Sequence, residues 1–301
     1  MTDLVSINGK IAKLQDSLIP IADRGLLYGE AISEVIVGFK NVILSFDQHF
    51  ERLQNSAKHM GIDLNLKKEE LEFELRALGE QLPNNVVKKY YRVIITGGTG
   101  FGLDMKYPLK PNKYVFAMPA QILPEAIYTN GITLQLQNLG YKNQAHKSKT
   151  THYGYRTAAS RSAKSQGFDD VLFTNIENEI TEATTANIFF IGRHGDAIEI
   201  VTPSETAGIL PGITRRNILD LCKRAKIAVL EKVIYEEMIP RYDEAFLCST
   251  VKGLIPVNKI ADHKLHTTRN NSAFQQIKRL YLAWVESQVG EKLDWNTGKT
   301  V

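Results

Sequence analysis

The sequence predicts a mixed α/β protein, of the α+β kind, that folds as two domains. Its 301 residues, 43% of them hydrophobic, are enough to build two compact cores. In both halves, short β-rich runs alternate with segments whose apolar residues recur at three- and four-residue steps. A stretch with Pro124 and a terminal Asn-Gly separates the halves. We therefore expect a small N-terminal domain at 1–119, a linker at 120–131 and a larger C-terminal domain at 132–301.

The first predicted elements are two β-hairpins. Asn8-Gly9, the dipeptide that best fits a type I′ turn, separates the β-rich runs LVSI and KIAKL. The polar pair Lys40-Asn41 separates two further β-rich runs, at 31–39 and 42–46. The other elements predicted for this domain are helices at 47–60 and 67–82 and strands at 86–96 and 114–118.

The second half alternates short strands with helices, which is the pattern of a second αβ domain. Strands are predicted at 133–137, 171–174, 188–191, 227–233 and 245–248. Helices are predicted near 154–166, 213–225 and 270–287.

Composition excludes several classes of protein. The net charge of +4 comes from 37 basic and 33 acidic residues without a block of like charges, so no nucleic-acid partner is expected. No basic-then-apolar leader and no apolar run of about 18 residues occurs, so we expect a cytoplasmic protein with no membrane partner. Cys222 and Cys248 lie in apolar surroundings and should be buried, reduced thiols. The seven histidines show no metal-ligand spacing, so no metal is expected.

The sequence contains neither a complete nucleotide-binding motif nor a serine-hydrolase motif. The glycine-rich run at 97–102 follows a predicted strand, but it matches neither the dinucleotide-binding spacing nor a phosphate loop with its lysine. No Gly-x-Ser-x-Gly nucleophile motif occurs. We interpret the run as a glycine-rich turn.

Several separated segments share the chemistry of one family. In chain order they are DRGLLYGEAISEVI at 23–36, HFERLQNSA at 49–57, the stretch 149–167, EITEATTANIFFIG at 179–192, LPGITR at 210–215 and CSTVKGLIPV at 248–257. Together they resemble the fold-type IV pyridoxal-phosphate (PLP) enzymes: branched-chain aminotransferases, D-amino-acid aminotransferases and aminodeoxychorismate lyases. The resemblance covers nearly the whole chain. It implies the two-domain fold of that family, PLP as the cofactor and a homodimer.

The resemblance also implies a lysine that holds the cofactor covalently and moves a proton during catalysis. Lys147 and Lys149 compete for this role. The family places an aromatic residue four or five positions after its lysine and a glycine further on, which fits Lys149 with Tyr153 and Gly167. Lys147 would require a two-residue slip. Lys149 is therefore expected to be the catalytic residue, and Tyr153 to donate a hydrogen bond to the phenolic oxygen of the cofactor.

The ring nitrogen and the phosphate of the cofactor need further groups. A carboxylate must stay beside the ring nitrogen to keep it protonated. Glu182 matches the family's carboxylate, with Asn187 fixing the same turn, whereas Glu177 and Glu179 are expected to be exposed. A phosphate needs backbone N–H groups at a helix start, a cation and hydroxyls. The matching residues are the amides of Ile213 and Thr214, then Ser249 and Thr250, and Arg52 as the cation.

The substrate residues are expected mainly in the first domain. Tyr90 and Arg92 should lie on one face of a strand, because strand side chains alternate. Branched-chain aminotransferases carry a similar Tyr-x-Arg, which takes both an apolar side chain and the carboxylate of glutamate. The other substrate residues implied by the resemblance are Tyr28, Ser33 and Val251. Ser33 stands where an aromatic residue is usual in the branched-chain enzymes, and Val35 where a glycine is usual.

The predicted function is transamination between a branched-chain L-amino acid and 2-oxoglutarate, in two half-reactions with ping-pong kinetics. Three alternatives stay open. A D-amino-acid aminotransferase would have Arg-Gly after the strand and a tyrosine before the Glu-Val run, where this chain has Gly97 and Ser33. An aminodeoxychorismate lyase, which eliminates pyruvate, would have Arg-Gly where Gly97-Gly98 stands. A non-enzymatic relative would not need the lysine, the glutamate and the arginine together.

Overall fold

The structure is a computed structural model that describes residues 4–103, 109–143, 147–194 and 197–300. Contacts within the chain divide it into two units. The first unit is Met1–Ile122 with Lys147–His152 and Gln288–Val301, and the second is Leu123–His146 with Tyr153–Ser287. The boundary after Ile122 lies inside the range predicted as a linker. Residues 147–152 and 288–301, which the sequence placed in the second domain, make their contacts with the first unit.

The first unit is an antiparallel sheet with two helices packed on one face. Among its described residues the elements are β1 (Leu4–Ile7), β2 (Lys10–Lys13), α1 (Arg24–Tyr28), β3 (Ala31–Phe39), β4 (Val42–Ile43), α2 (Phe46–His59), α3 (Lys68–Glu80), β5 (Lys88–Thr96) and β6 (Asn112–Pro119). The strand order is β2-β1-β6-β5-β3-β4. Asn8 and Gly9 have φ values of 52° and 85°, which confirms the predicted type I′ hairpin.

Alternation along the strands separates the two faces of this sheet. Ile32, Ile36 and Val93 pack with Leu53 of α2 and Leu75 of α3 in one buried core. Even-numbered positions of β3 therefore face the helices, and odd-numbered positions face the other side. An even or odd position on the strand therefore decides which face of the sheet each candidate site residue occupies.

The second unit is a mixed sheet with helices against it. Among its described residues the elements are α4 (Glu125–Thr129), β7 (Ile132–Asn138), α5 (Gly154–Ser165), β8 (Asp170–Thr174), β9 (Ile180–Ala183), β10 (Asn187–His194), β11 (Ala197–Pro203), α6 (Ile213–Arg224), β12 (Val229–Lys232), β13 (Glu244–Ser249), β14 (Gly253–Ile260), β15 (His263–Lys264) and α7 (Ala273–Val289). The strand order is β12-β11-β10-β13-β14-β7-β8-β9, and β15 pairs with β14. Leu172, Phe190, Leu247 and Val257 belong to its buried core.

Most of the predicted elements are confirmed, with shifts of a few residues at their ends. The patterns do not predict the helix α1 or the strands β9, β11, β14 and β15. Pro256 lies inside β14 and β9 has four residues, and both features weaken the sequence signal for a strand. The range predicted as a linker contains α4, whose N-cap is Pro124. Phe46 begins α2 instead of ending a strand.

Three further observations concern the cysteines, membrane-spanning helices and metal-binding groups. Cys222 and Cys248 are free and buried, as predicted, and burial raises their pKa values to about 11 and about 12. In the described ranges, no helix has the length and apolar character needed to cross a membrane. The same ranges contain no group of three or more His, Cys, Asp or Glu side chains that could hold a metal ion.

Candidate active site

Lys149 is tied by its backbone to strand β3 and helix α2. Its carbonyl accepts a hydrogen bond from the N–H of Ser33 at 2.7 Å, and its own N–H donates to Oγ of Ser56 at 3.1 Å. A bridge between Thr150 and Ile32 continues this pairing along the edge of β3. Lys149 is half-buried, whereas Lys147 is exposed. Of the two candidate lysines, Lys149 is therefore the less exposed.

Arg52 forms a buried ion pair that the sequence analysis does not anticipate. Its Nε and Nη2 donate to the two oxygens of Glu34 at 2.7 and 2.8 Å. Nδ1 of His49 lies 2.7 Å from the same carboxylate, and both Glu34 and His49 are 1% exposed. Burial alone would raise the pKa of Glu34, but the charge of Arg52 and the hydrogen bonds from Arg52 and His49 lower it to about 2. Glu34 is therefore a carboxylate throughout the physiological pH range.

For His49, burial has a larger effect on the pKa than the contacts with Glu34. Burial lowers the pKa of His49, and the contacts with Glu34 raise it by less. The charges of Arg52 and Lys149 lower the pKa of His49 further. His49 is therefore neutral near pH 7. Because an ionised Glu34 can only accept, Nδ1 of His49 carries the proton and Nε2 is an acceptor.

A sequence signal for these two residues does exist. Glu34 is an even-numbered, inward position of a strand that is otherwise almost entirely buried and apolar. On α2, His49, Arg52 and Ser56 are spaced i, i+3, i+7, which places them on one stripe of the helix. An acidic residue at an inward strand position and a polar stripe on a helix of the same core indicate a buried ionic cluster.

Tyr90 and Arg92 lie on one face of β5, which confirms the alternation argument. Val35 of β3 pairs with Arg92, and Val37 pairs with Tyr90, on the face opposite the helices. Ser33 belongs to the same face and is 1% exposed. Among the described residues, Oγ of Ser33 and Nε of Arg92 are buried without a hydrogen-bond partner. This face therefore combines apolar side chains with two polar atoms that can bind a further oxygen atom.

Tyr28 lies at the end of the short helix α1 and is 39% exposed. Its hydroxyl accepts from the N–H of Gly102 at 2.8 Å, and the guanidinium of Arg24 lies 4.8 Å from its ring centroid. Asp23 caps α1 through the N–H of Gly25 at 2.8 Å. The Asp-Arg-Gly segment thus fixes Tyr28 to the glycine-rich loop that ends at Gly102.

In the second unit, Glu182 of β9 is 7% exposed and accepts three hydrogen bonds. Nη2 of Arg156 donates to Oε1 at 2.8 Å, and the N–H of Leu210 and Nδ2 of Asn187 donate to Oε2 at 3.1 and 3.3 Å. Burial would lower the pKa of Arg156, but the charges of Glu182 and Tyr155 and their hydrogen bonds raise it. Arg156 and Glu182 are therefore a charged pair.

Arg156 is a functional candidate that no sequence motif predicts, and the expectation that Glu179 is exposed is wrong. Arg156 is an arginine in a polar helix, with no local mark of burial. Glu179 is 5% exposed, since Asn175 and Lys142 hold its carboxylate at 2.6 and 2.8 Å. Glu177 is exposed as expected, with 56% of its side chain accessible.

The remaining predicted cofactor residues of this unit lie around Asn187. Helix α6 begins at Ile213, so the N–H groups of Ile213 and Thr214 have no partner inside the helix. A Cβ on Gly212 would overlap the amide oxygen of Asn187, so only glycine allows this close approach. Asn187 pairs with Cys248 across β10 and β13, next to Ser249.

Three further predicted residues lie in turns of the second unit. Thr250 and Val251 occupy the turn between β13 and β14. Tyr153 is the N-cap residue of α5, one helical turn before Arg156. Glu182 and Asn187 thus share one hydrogen-bonded neighbourhood with Leu210, shortly before the start of α6.

Each unit carries groups that suit one part of PLP. The phosphate requires helix-start amides and a cation, the ring nitrogen a carboxylate that stays ionised, and the aldehyde an amine. Glu182 suits the second requirement, since it is a carboxylate to which an arginine and two amides donate hydrogen bonds. The residues present therefore fit the cofactor. With the fold, they define a pyridoxal-phosphate enzyme.

A family model described as amino-transferase class IV matches residues 31–260. This match covers most of the chain, which therefore belongs to the class IV aminotransferases.

Individual relatives divide between two activities. A Methanocaldococcus jannaschii protein, whose name assigns it provisionally to the branched-chain-amino-acid aminotransferases, is 28% identical over 92% of this chain and 94% of its own length. The D-alanine aminotransferase of Bacillus licheniformis is 26% identical over 85% of this chain and 88% of its own length. The Escherichia coli branched-chain amino acid aminotransferase structure has a TM-score of 0.85 and 24% identity, and the match covers 98% of this chain and 97% of that one. This last likeness shows the fold.

Proposed function

We propose that the chain catalyses PLP-dependent transamination between a branched-chain L-amino acid and 2-oxoglutarate, giving a branched 2-oxo acid and glutamate. The observation that carries the proposal is the shared sheet face of Tyr90, Arg92 and Val35. The valine and the tyrosine ring offer an apolar surface, and the guanidinium offers a partner for a side-chain carboxylate. The two half-reactions together need an apolar surface and a partner for a carboxylate in the same substrate pocket.

The residues take the following proposed roles. PLP, when bound, supplies an electron-withdrawing ring that stabilises negative charge at the substrate Cα. The amine of Lys149 holds the cofactor covalently and, once released, takes the proton from the substrate Cα. Glu182, held by Arg156, keeps the ring nitrogen protonated, and Tyr153 donates to the phenolic oxygen. The proposed phosphate ligands are Arg52, the amides of Ile213 and Thr214, and the hydroxyls of Ser249 and Thr250, while Tyr28, Ser33 and Val251 join the substrate residues.

A D-amino-acid aminotransferase and an aminodeoxychorismate lyase are the competing functions. Both would be expected to place an arginine at the position of Gly97. A Cβ at Gly97 would overlap the carboxylate of Glu30. Arg24 holds that carboxylate at 2.6 Å, so a side chain at position 97 would have to displace the Glu30 side chain from this ion pair. The glycine at position 97, where the competing functions call for an arginine, favours the branched-chain function.

The absorption spectrum of the PLP-loaded protein tests the proposal. L-Leucine should remove the visible band of the lysine-linked cofactor, and 2-oxoglutarate should restore it. Replacing Arg92 by glutamine should raise KM for 2-oxoglutarate at least about tenfold, because a charge-assisted hydrogen bond is lost, and should change KM for L-leucine far less. Lys89→Gln, on the same strand with its side chain on the other face, is the matched control.

The outcomes separate the candidate functions. A response to D-alanine but not to L-leucine would move the function to the D-amino-acid branch. Release of pyruvate without an amino acceptor would identify a lyase. A protein that binds no PLP would contradict the proposal as a whole.

We also propose that the working enzyme is a homodimer. Apolar side chains cluster in the first unit just before and within α1: Leu18, Ile19, Ile21 and Leu26 are 85%, 57%, 76% and 59% exposed. Such a concentration of exposed apolar surface is typical of an interface. Sedimentation velocity should give twice the mass of the chain, and Ile21→Asp should give a monomer. Phe73→Asp, at an isolated apolar residue of α3 that is 75% exposed, should leave the dimer intact, and a monomeric wild-type protein would refute the proposal.

A further inference from the structure

The ionic cluster of the first unit is centred on Glu34. Glu34 of β3 accepts hydrogen bonds from Arg52 and from Nδ1 of His49, which both lie on α2. One buried carboxylate therefore pairs with one cation and one neutral imidazole. The backbone of Lys149 contacts the same two elements, through Ser33 of β3 and Ser56 of α2.

The contacts of Glu34 also set the geometry of its neighbours. Two parallel hydrogen bonds from Arg52 fix the plane of the guanidinium, because the fork of Arg52 matches the two carboxylate oxygens. A guanidinium carries five N–H donors, so Arg52 can hold Glu34 and bind phosphate oxygens at the same time. The third contact fixes the His49 tautomer in which Nε2 is an acceptor.

We propose that Glu34 and His49 are positioning residues, which orient Arg52 for the cofactor phosphate. This inference rests on the proposed PLP chemistry, but it goes beyond it, since neither residue is among the cofactor ligands. Glu34 acts on the guanidinium of Arg52 directly. His49 acts through Glu34, because its Nδ1 contacts the carboxylate oxygen that also accepts from Nη2 of Arg52.

The alternative is an ion pair that only stabilises the core. Both roles predict a loss of stability when Glu34 is replaced, because a buried arginine would lose its partner. Only the positioning role predicts weaker binding of PLP by variants that remain folded. Titration of the folded protein with PLP therefore separates the two roles without any measurement of turnover.

The experiment compares PLP binding by Glu34→Gln and Glu74→Gln. Glu74 is the matched control because it is also buried in the first unit, at 7% exposure, and is paired with Lys113 at 2.5 Å and with Ser6. Glu34→Gln should raise the Kd for PLP at least about tenfold, because Arg52 is no longer held by two carboxylate oxygens. Glu74→Gln should leave the Kd for PLP unchanged.

If Glu34→Gln does not fold, Glu34→Asp tests the positioning role instead. Aspartate keeps the charge but withdraws the carboxylate by one methylene, so PLP should bind several-fold more weakly. A Glu34→Gln protein with wild-type affinity for PLP would overturn the inference, as would an equal loss of affinity in Glu74→Gln. A Glu34→Asp protein with unchanged affinity would also overturn it. If the wild-type protein binds no PLP, the proposed function fails instead.

Discussion

Lys149→Ala should lower kcat for transamination by at least about 10⁴-fold, because the proposed covalent attachment of PLP and the amine proposed to move the Cα proton are lost together. The visible band of the lysine-linked cofactor should be absent, although PLP should still bind through its phosphate and ring nitrogen. Absorption spectra and single-turnover kinetics with L-leucine measure both effects. Since Lys149 is only half-buried and its backbone makes the contacts with β3 and α2, the variant should fold.

Lys147→Ala is the matched control for this prediction. Lys147 is exposed and lies two positions away in the same segment. Its removal should change kcat by no more than about twofold, as is usual for a surface side chain away from the chemistry. Loss of the visible band in Lys147→Ala, with retention in Lys149→Ala, would reverse the assignment of the two lysines.

Glu182→Gln should lower kcat by about two to four orders of magnitude, because the ring nitrogen loses the carboxylate proposed to keep it protonated. KM for L-leucine should change much less, since Glu182 is proposed to contact the cofactor and not the substrate. The same change leaves Arg156 buried without its counter-charge, which should cost about 3–5 kcal/mol in the free energy of unfolding. Steady-state kinetics and urea unfolding measure the two effects separately.

Glu179→Gln separates catalysis from stability at this site. Glu179 is buried, paired with Lys142 and three positions away in the same stretch, so its replacement should also destabilise the protein. It should not lower kcat in the protein that remains folded. Equal losses of kcat in Glu179→Gln and Glu182→Gln would show that the activity follows stability alone.

The local patterns of the sequence anticipate much of the fold and part of the site. Asn8-Gly9 specifies a turn by its own backbone preference, and the tertiary fold keeps that turn. The alternation of Tyr90 and Arg92 follows from strand geometry wherever the strand lies. In the same way, the periodicity of α6 predicts where its first amides lie, beside Gly212.

The ion pairs of the site could not be predicted in the same way. Glu34 and Arg52 are 18 positions apart on different elements, and Arg156 and Glu182 are 26 apart. Their pairing depends on how α2 packs on β3 and how α5 packs on its sheet, and neither packing is a property of a local segment. The prediction that Glu179 is exposed failed for this reason, since its partner Lys142 is 37 positions away in sequence (179 − 142).

The sequence by itself determined the class of the protein, the order of its motifs and the choice of side chains able to bind PLP, because these depend on residue identity and spacing. Only the tertiary structure decided that Lys149 is half-buried and Lys147 exposed, that Glu34 contacts Arg52 and His49, and that Arg156 contacts Glu182. The physical reason is that burial and charge pairing arise between segments distant in sequence. A carboxylate acquires its role from the cations that packing brings to it.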